Sequence, residues 1–112
     1  MSYRTPTGII AGNPNGLTAL HRLTNTYDGI DFYRIDDGEL YRLYLDLESR
    51  GEEIAVIYHS PPVSVAYPSK RDVEYAAWSD PVYVICSLEH PDEPVLRAFR
   101  IVDEQITELA LG

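Results

Sequence analysis

The chain opens on two apolar runs, TGIIAG (7–12) and LTALHRLTN (17–25), separated by Asn13-Pro14-Asn15-Gly16. Turn residues of hairpin length between two such runs predict a pair of antiparallel strands. A short third strand is expected over 31–35. The period then changes. Leu40, Leu43, Tyr44 and Leu47 fall at i, i+3, i+4 and i+7, Asp36 stands three positions before Glu39, and Arg50-Gly51 closes the pattern. Together these predict one capped amphipathic helix over 37–50. EEIAVIYH (52–59) is rich in branched and aromatic residues, as suits a strand buried on both faces, and it runs into a proline-rich loop. A second, shorter helix is expected after Pro68. VYVICSL (82–88), VLRAFRIV (95–102) and QITELAL (105–111) read as three further strands, the last two joined as a hairpin through Asp103-Glu104. No repeat, low-complexity tract or Ser/Gly-rich linker divides the chain, so residues 1–112 read as a single α/β domain.

Composition narrows the function classes. Nine Lys and Arg against eighteen Asp and Glu give 112 residues a formal charge of −9. That balance argues against electrostatic binding to nucleic acid or an anionic membrane, both of which need a basic face. No apolar run reaches the roughly 18 residues of a membrane span, and MSYRTPTG lacks the apolar core of a signal peptide, so a cytosolic protein is expected. The single Cys86 is consistent with a reducing compartment and is expected to be an inert buried thiol.

The segment IYHSPPVSVAYPSKRD (57–72) carries the candidate chemistry. His59-Ser60-Pro61-Pro62 is followed, after six residues, by Ser69-Lys70-Arg71-Asp72. This spacing resembles the JAMM motif of the JAB/MPN metalloprotease family, His-x-His-Pro, six residues, Ser-x-x-Asp, with the second histidine replaced by Pro61. The helix ending LESRGEE, the strand IAVIYHS, and DPVYVICSL with VLRAFRIVD are also similar to small bacterial members, so the resemblance covers nearly the whole chain from Thr7 onward. It implies an α/β fold of the JAB/MPN (cytidine-deaminase-like) type: a mixed β-sheet curled around and flanked by helices. The family's helix ahead of the first strand is expected to be missing, giving a truncated domain.

In the family, two histidines and the aspartate hold zinc, a glutamate on an upstream strand is general base toward the zinc-bound water, and the serine assists the oxyanion. Matched position by position, His59 and Asp72 are metal ligands and Ser69 is the serine in a vestigial catalytic role. Pro61 has no lone pair to offer, which leaves two protein ligands where a catalytic zinc needs three and an open position. The glutamate lies three residues before a glycine in a pattern like Glu-x-Cys-Gly-Leu-Leu. The matching segment here is TGIIAG with Gly8, and counting back reaches Thr5, whose hydroxyl cannot act as a base at neutral pH. The site is therefore incomplete, and no cofactor is expected.

Local chemistry offers plainer roles beside these. Ser69-x-x-Asp72 is also a capping box for a helix beginning after Pro68. A strand-end histidine such as His59 is ordinarily a satisfied polar residue, and His21 and His90 have no partners at metal spacing. Asp36-Asp37 suits a helix N-terminus, and Glu52-Glu53 is expected to be solvated. Two functions follow. One is a non-catalytic, zinc-deficient JAB/MPN domain acting in protein binding or assembly. The other is a zinc-dependent metallopeptidase or isopeptidase recruiting its missing groups from elsewhere. By resemblance the partner is a protein, with a ubiquitin-like or sulfur-carrier tail, and an uncovered sheet face predicts a homodimer or a complex with a fuller paralogue.

Overall fold

The computed structural model describes residues 5–29, 32–61, 65–76 and 80–110. Its elements are β1 (Thr7–Asn13), β2 (Gly16–Arg22), α1 (Asp37–Ser49), β3 (Glu53–His59), α2 (Lys70–Tyr75), β4 (Val82–Ser87), β5 (Val95–Val102) and β6 (Gln105–Leu109). The strands make one open sheet in the order β2-β1-β3-β4-β5-β6. β3 and β4 are parallel, and every other neighbouring pair is antiparallel. This is the mixed α/β arrangement that the resemblance implies.

Register decides which residues reach the core. Ile9 pairs with Ile57, Ile57 with Tyr83, and Tyr83 with Phe99, so one row crosses four strands on a single face. On that face α1 buries Leu47 against Ile9, Ala11, Ile54, Ile57 and Ile101, with Leu40 and Leu43 alongside, and α2 adds Val73 and Ala76. Burial of this apolar stripe is what holds α1 down, because a 13-residue helix is marginal on propensity alone.

The ends of α1 show how the chain stitches itself. Asp36 accepts a hydrogen bond from the Glu39 N–H at 2.9 Å, as the cap predicts. The Glu39 carboxylate does not return to Asp36. It accepts from the Thr24 N–H at 3.2 Å, while the Asp36 N–H donates to the Thr24 carbonyl at 2.8 Å. The helix start is thereby tied to the chain leaving β2. At the other end Gly51 has φ +72°, a left-handed conformation that glycine adopts without penalty. Its N–H donates to Glu48 and that of Glu52 to Leu47, at 3.1 and 2.9 Å, completing a Schellman motif.

Some expectations change. β2 stops at Arg22 because Asn25 bends the chain: its Oδ1 accepts from both the Tyr27 and the Arg34 N–H groups. The strand expected over 31–35 reduces to a single bridge between Asn25 and Ile35, and residue 31 lies outside the described residues. β6 ends at Leu109, and residue 111 likewise lies outside them. Cys86 is half-buried, since its side of β4 faces away from the helices. Glu53 is exposed as expected, but Glu52 is partly buried. It accepts a hydrogen bond from the Thr18 hydroxyl and lies 3.5 Å from Arg50. No helix among the described residues is long and apolar enough to cross a membrane.

Candidate metal centre

β3 delivers His59 at its C-terminal end, level with Thr7 on β1 and Ile85 on β4. The residue is 8% exposed. Tyr33 lies parallel to its ring, with centroids 4.2 Å apart and planes inclined by 17°. Tyr33 is held in place by its neighbours. Phe32 and Tyr27 meet edge to face, and the Arg71 guanidinium from α2 lies 4.2 Å from the Phe32 ring centroid and 5.1 Å from that of Tyr27. These contacts fasten α2 to the segment that roofs His59.

Beyond β3 the Ser60 N–H donates to the Pro6 carbonyl at 3.0 Å, and the Pro61 carbonyl accepts from the Leu88 N–H at 2.8 Å. Pro61 is buried and pins the loop onto the end of β4. α2 then begins at Ser69. The Ser69 hydroxyl accepts from the Asp72 N–H at 3.1 Å, and Asp72 Oδ2 accepts from the Ser69 N–H at 2.8 Å. The capping box is complete, and it fixes the Asp72 carboxylate with its Oδ2 3.9 Å from His59 Nε2. Burial lowers the His59 pKa below its ordinary value, opposed in part by the Asp72 charge. The imidazole is therefore neutral at pH 7, and the contact with Asp72 is not an ion pair.

Thr5 completes the set of sequence-singled residues. It is 2% exposed just ahead of β1, and its carbonyl accepts from the Asn25 amide at 2.9 Å. Its hydroxyl is buried with no hydrogen-bond partner among the described residues. The structure thus brings His59, Ser69 and Asp72 together and holds Pro61 and Thr5 in the segments on either side of β3's end. His21 and His90 stand apart from them. The stacking Tyr33 was missed from sequence because it lies in an irregular segment with no periodicity to mark it.

The model of the prokaryotic homologs of the JAB domain matches residues 7–102. The chain belongs to this family. As a prokaryotic JAB-domain protein it is 39% identical over 104 residues to the CysO-cysteine peptidase of Mycobacterium tuberculosis, spanning 90% of this chain and 70% of that one. It is 35% identical over 83 residues to the Desampylase of Haloferax volcanii, spanning 71% and 60% respectively. Two solution structures share its fold, each at 24% identity over 95% of this chain and 75% of theirs. One is a protein of Desulfitobacterium hafniense, with a TM-score of 0.81, and the other a protein of Salinibacter ruber, with a TM-score of 0.66.

Zinc can be tested against the donors of this JAB domain. Catalytic zinc takes three protein ligands and leaves one position for water. Here one imidazole faces one carboxylate, whose Oδ2 already accepts a backbone hydrogen bond. At the remaining ligand position Pro61 presents no donor atom. No group of three or more His, Cys, Asp or Glu close enough to share a metal occurs among the described residues. The donor set does not fit a catalytic zinc, and Thr5 supplies no base to work on a bound water.

Proposed function

We propose that this JAB-domain protein is a zinc-independent, non-catalytic binding domain whose client is the tail of a ubiquitin-like or sulfur-carrier protein, acting in the cytosol. The client class is drawn from the two named relatives, the CysO-cysteine peptidase and the Desampylase. The non-catalytic reading is carried by Pro61, which puts a buried ring where the motif needs a second imidazole. A two-ligand site loses zinc affinity by orders of magnitude. Self-association as a homodimer, or pairing with a fuller paralogue, belongs to the same reading. Its support is the sheet face turned away from α1, where Leu20 and Leu96 are 58% and 52% exposed.

A second reading, a zinc-dependent peptidase, draws on His59 and Asp72, which still stand 3.9 Å apart on one side of the sheet. Metal content separates the two. Protein purified in the presence of zinc and dialysed is expected to retain only background metal by elemental analysis, and stoichiometric zinc would overturn the proposal. Pro61→His is expected to restore stoichiometric zinc without hydrolysis of a ubiquitin-like fusion, because it supplies a ligand but no base. Hydrolysis by that single variant would identify another residue as base and favour the second reading.

A further inference from the structure

Centred on the sheet face opposite His59, and reaching round to Thr5 and Ser60 at the edge of the motif, there is a second feature. Gly8 on β1 pairs with Arg22 on β2 and with Tyr58 on β3, so these three residues form a row with the glycine in the middle. A Cβ at Gly8 would stand 2.2 Å from the His21 carbonyl oxygen and 2.6 Å from the Tyr58 hydroxyl. No side chain can rise there, and the Tyr58 ring leans across the β1 backbone instead. Above this row lies a hollow of about 490 Å³, within the roughly 300–1,000 Å³ span of small-ligand sites.

The lining is one-sided in its chemistry. Arg22 brings a guanidinium that no carboxylate pairs with among the described residues. Tyr58 and Ser60 bring hydroxyls, and Thr5 brings the buried hydroxyl that lacks a partner among the described residues. Asn25, on the wall, is already committed through both ends of its amide. Leu20 and Leu23 close the remainder with apolar surface. Among the described residues no Asp or Glu lines the hollow. Burial raises the Tyr58 pKa and the Arg22 charge lowers it, so the phenol stays protonated as a donor and feels the guanidinium.

We propose that this hollow is a binding site for the C-terminal carboxylate of an extended peptide, held by the Arg22 guanidinium and the Tyr58 hydroxyl. A planar guanidinium matches a carboxylate with two parallel hydrogen bonds, and one cation balances one negative charge. A phosphate dianion would leave a charge uncompensated. The leucines suit a chain attached to the anion rather than a free ion. An overall charge of −9 does not forbid it, because charges beyond about 8 Å are largely screened at physiological salt while Arg22 acts at contact. β2 is an edge of the sheet, so a peptide ending at Arg22 has an open strand beside it. The inference goes beyond the function proposed above. It concerns the sheet face opposite His59, the one that also carries Leu20, and does not require the client to be ubiquitin-like.

The test is a titration of the full chain, followed by backbone amide NMR, with N-acetyl-glycyl-glycine, its C-terminal amide, and acetate. The acid is expected to shift the amides of Gly8, Arg22, Tyr58 and Ser60 in a saturable way. The amide and acetate should each bind roughly tenfold more weakly or worse, since one lacks the charge and the other the chain. Arg22→Gln is expected to weaken the acid by roughly tenfold or more with an otherwise unchanged spectrum, and Tyr58→Phe to weaken it severalfold. Equal binding of acid and amide, equal binding of acetate, shifts centred on His59 and Asp72, or no shift at all would each overturn the proposal. The zinc measurements on Pro61→His read the other face, so the two proposals fail separately.

Discussion

Replacing Ser69 with alanine separates a capping role from a chemical one. α2 has only six residues, far below the roughly 12 at which an isolated helix becomes stable, so its first turn depends on the cap and on the burial of Val73 and Ala76. Alanine removes the acceptor of the Asp72 N–H but leaves the reciprocal bond from the Ser69 N–H to Asp72 Oδ2. Loss of an N-cap costs about 0.5–2 kcal/mol. The bond here is solvent-exposed, so water takes over the orphaned donor and the lower half of that range applies, about 0.5–1 kcal/mol. Across 112 residues the unfolding entropy is about 0.24 kcal/mol per kelvin, and the melting temperature should fall by about 2–4 °C. Circular dichroism melts of Ser69→Ala, Ser69→Gly, Ser69→Asn and Ser69→Thr read this directly. Glycine should lose only about 1 °C, and asparagine and threonine should remain close to the parent protein. If alanine and threonine melt together, the hydroxyl is not capping α2.

Two further outcomes are expected. Because burial holds the His59 pKa down, the native state takes up its proton later than the unfolded chain, which does so near pH 6.5. His59 should therefore leave stability flat above about pH 6.5 and erode it below, by at most about 1.4 kcal/mol per pH unit. Urea midpoints at pH 7.5, 6.5 and 5.5 should show a steeper acid loss for the parent than for His59→Gln, and a parent gaining stability on acidification would mean that Asp72 outweighs burial. Gly8→Ala should destabilise by about 1–3 kcal/mol, because the His21 carbonyl it meets is backbone of the neighbouring strand and cannot retreat cheaply. Adding Tyr58→Phe should recover little of that loss in the same urea titration, and full recovery would place the clash on the Tyr58 hydroxyl alone.

Features that depend on near neighbours in the chain were legible beforehand. The period of α1, the cap at Asp36, the glycine after Arg50 and the turns at 13–16 and 103–104 all act within a few residues, and the structure shows each of them. The spacing from His59 to Asp72 was equally visible, because it lies within one strand-loop-helix unit. What depended on distant register was not. Glu52 accepts from Thr18, 34 residues earlier, and nothing local announces that pairing. Tyr33 reaches His59 from an irregular stretch whose path is set by the two ends of the Asn25 side chain. The Arg22-Gly8-Tyr58 row exists only once three strands are aligned. A carboxylate on a helix end also reads the same in sequence whether it orients a metal or a backbone N–H. The two hydrogen bonds with Ser69, with no third metal donor beside them among the described residues, give the capping reading its weight.

The parallel pairing of β3 with β4 has a kinetic consequence. β2-β1 and β4-β5-β6 are built from hairpins whose partners are close in the chain and can form early. β3 instead closes two long-range pairings, to β1 across β2 and α1 and to β4 across α2, and each carries a larger loop-closure entropy than a hairpin. His59 sits at the end of β3 and Pro61 ties its loop to β4. The end of β3 that carries His59 is therefore where both long-range pairings meet. Burial of His59 and the hydrogen bond from the Leu88 N–H to the Pro61 carbonyl close that junction.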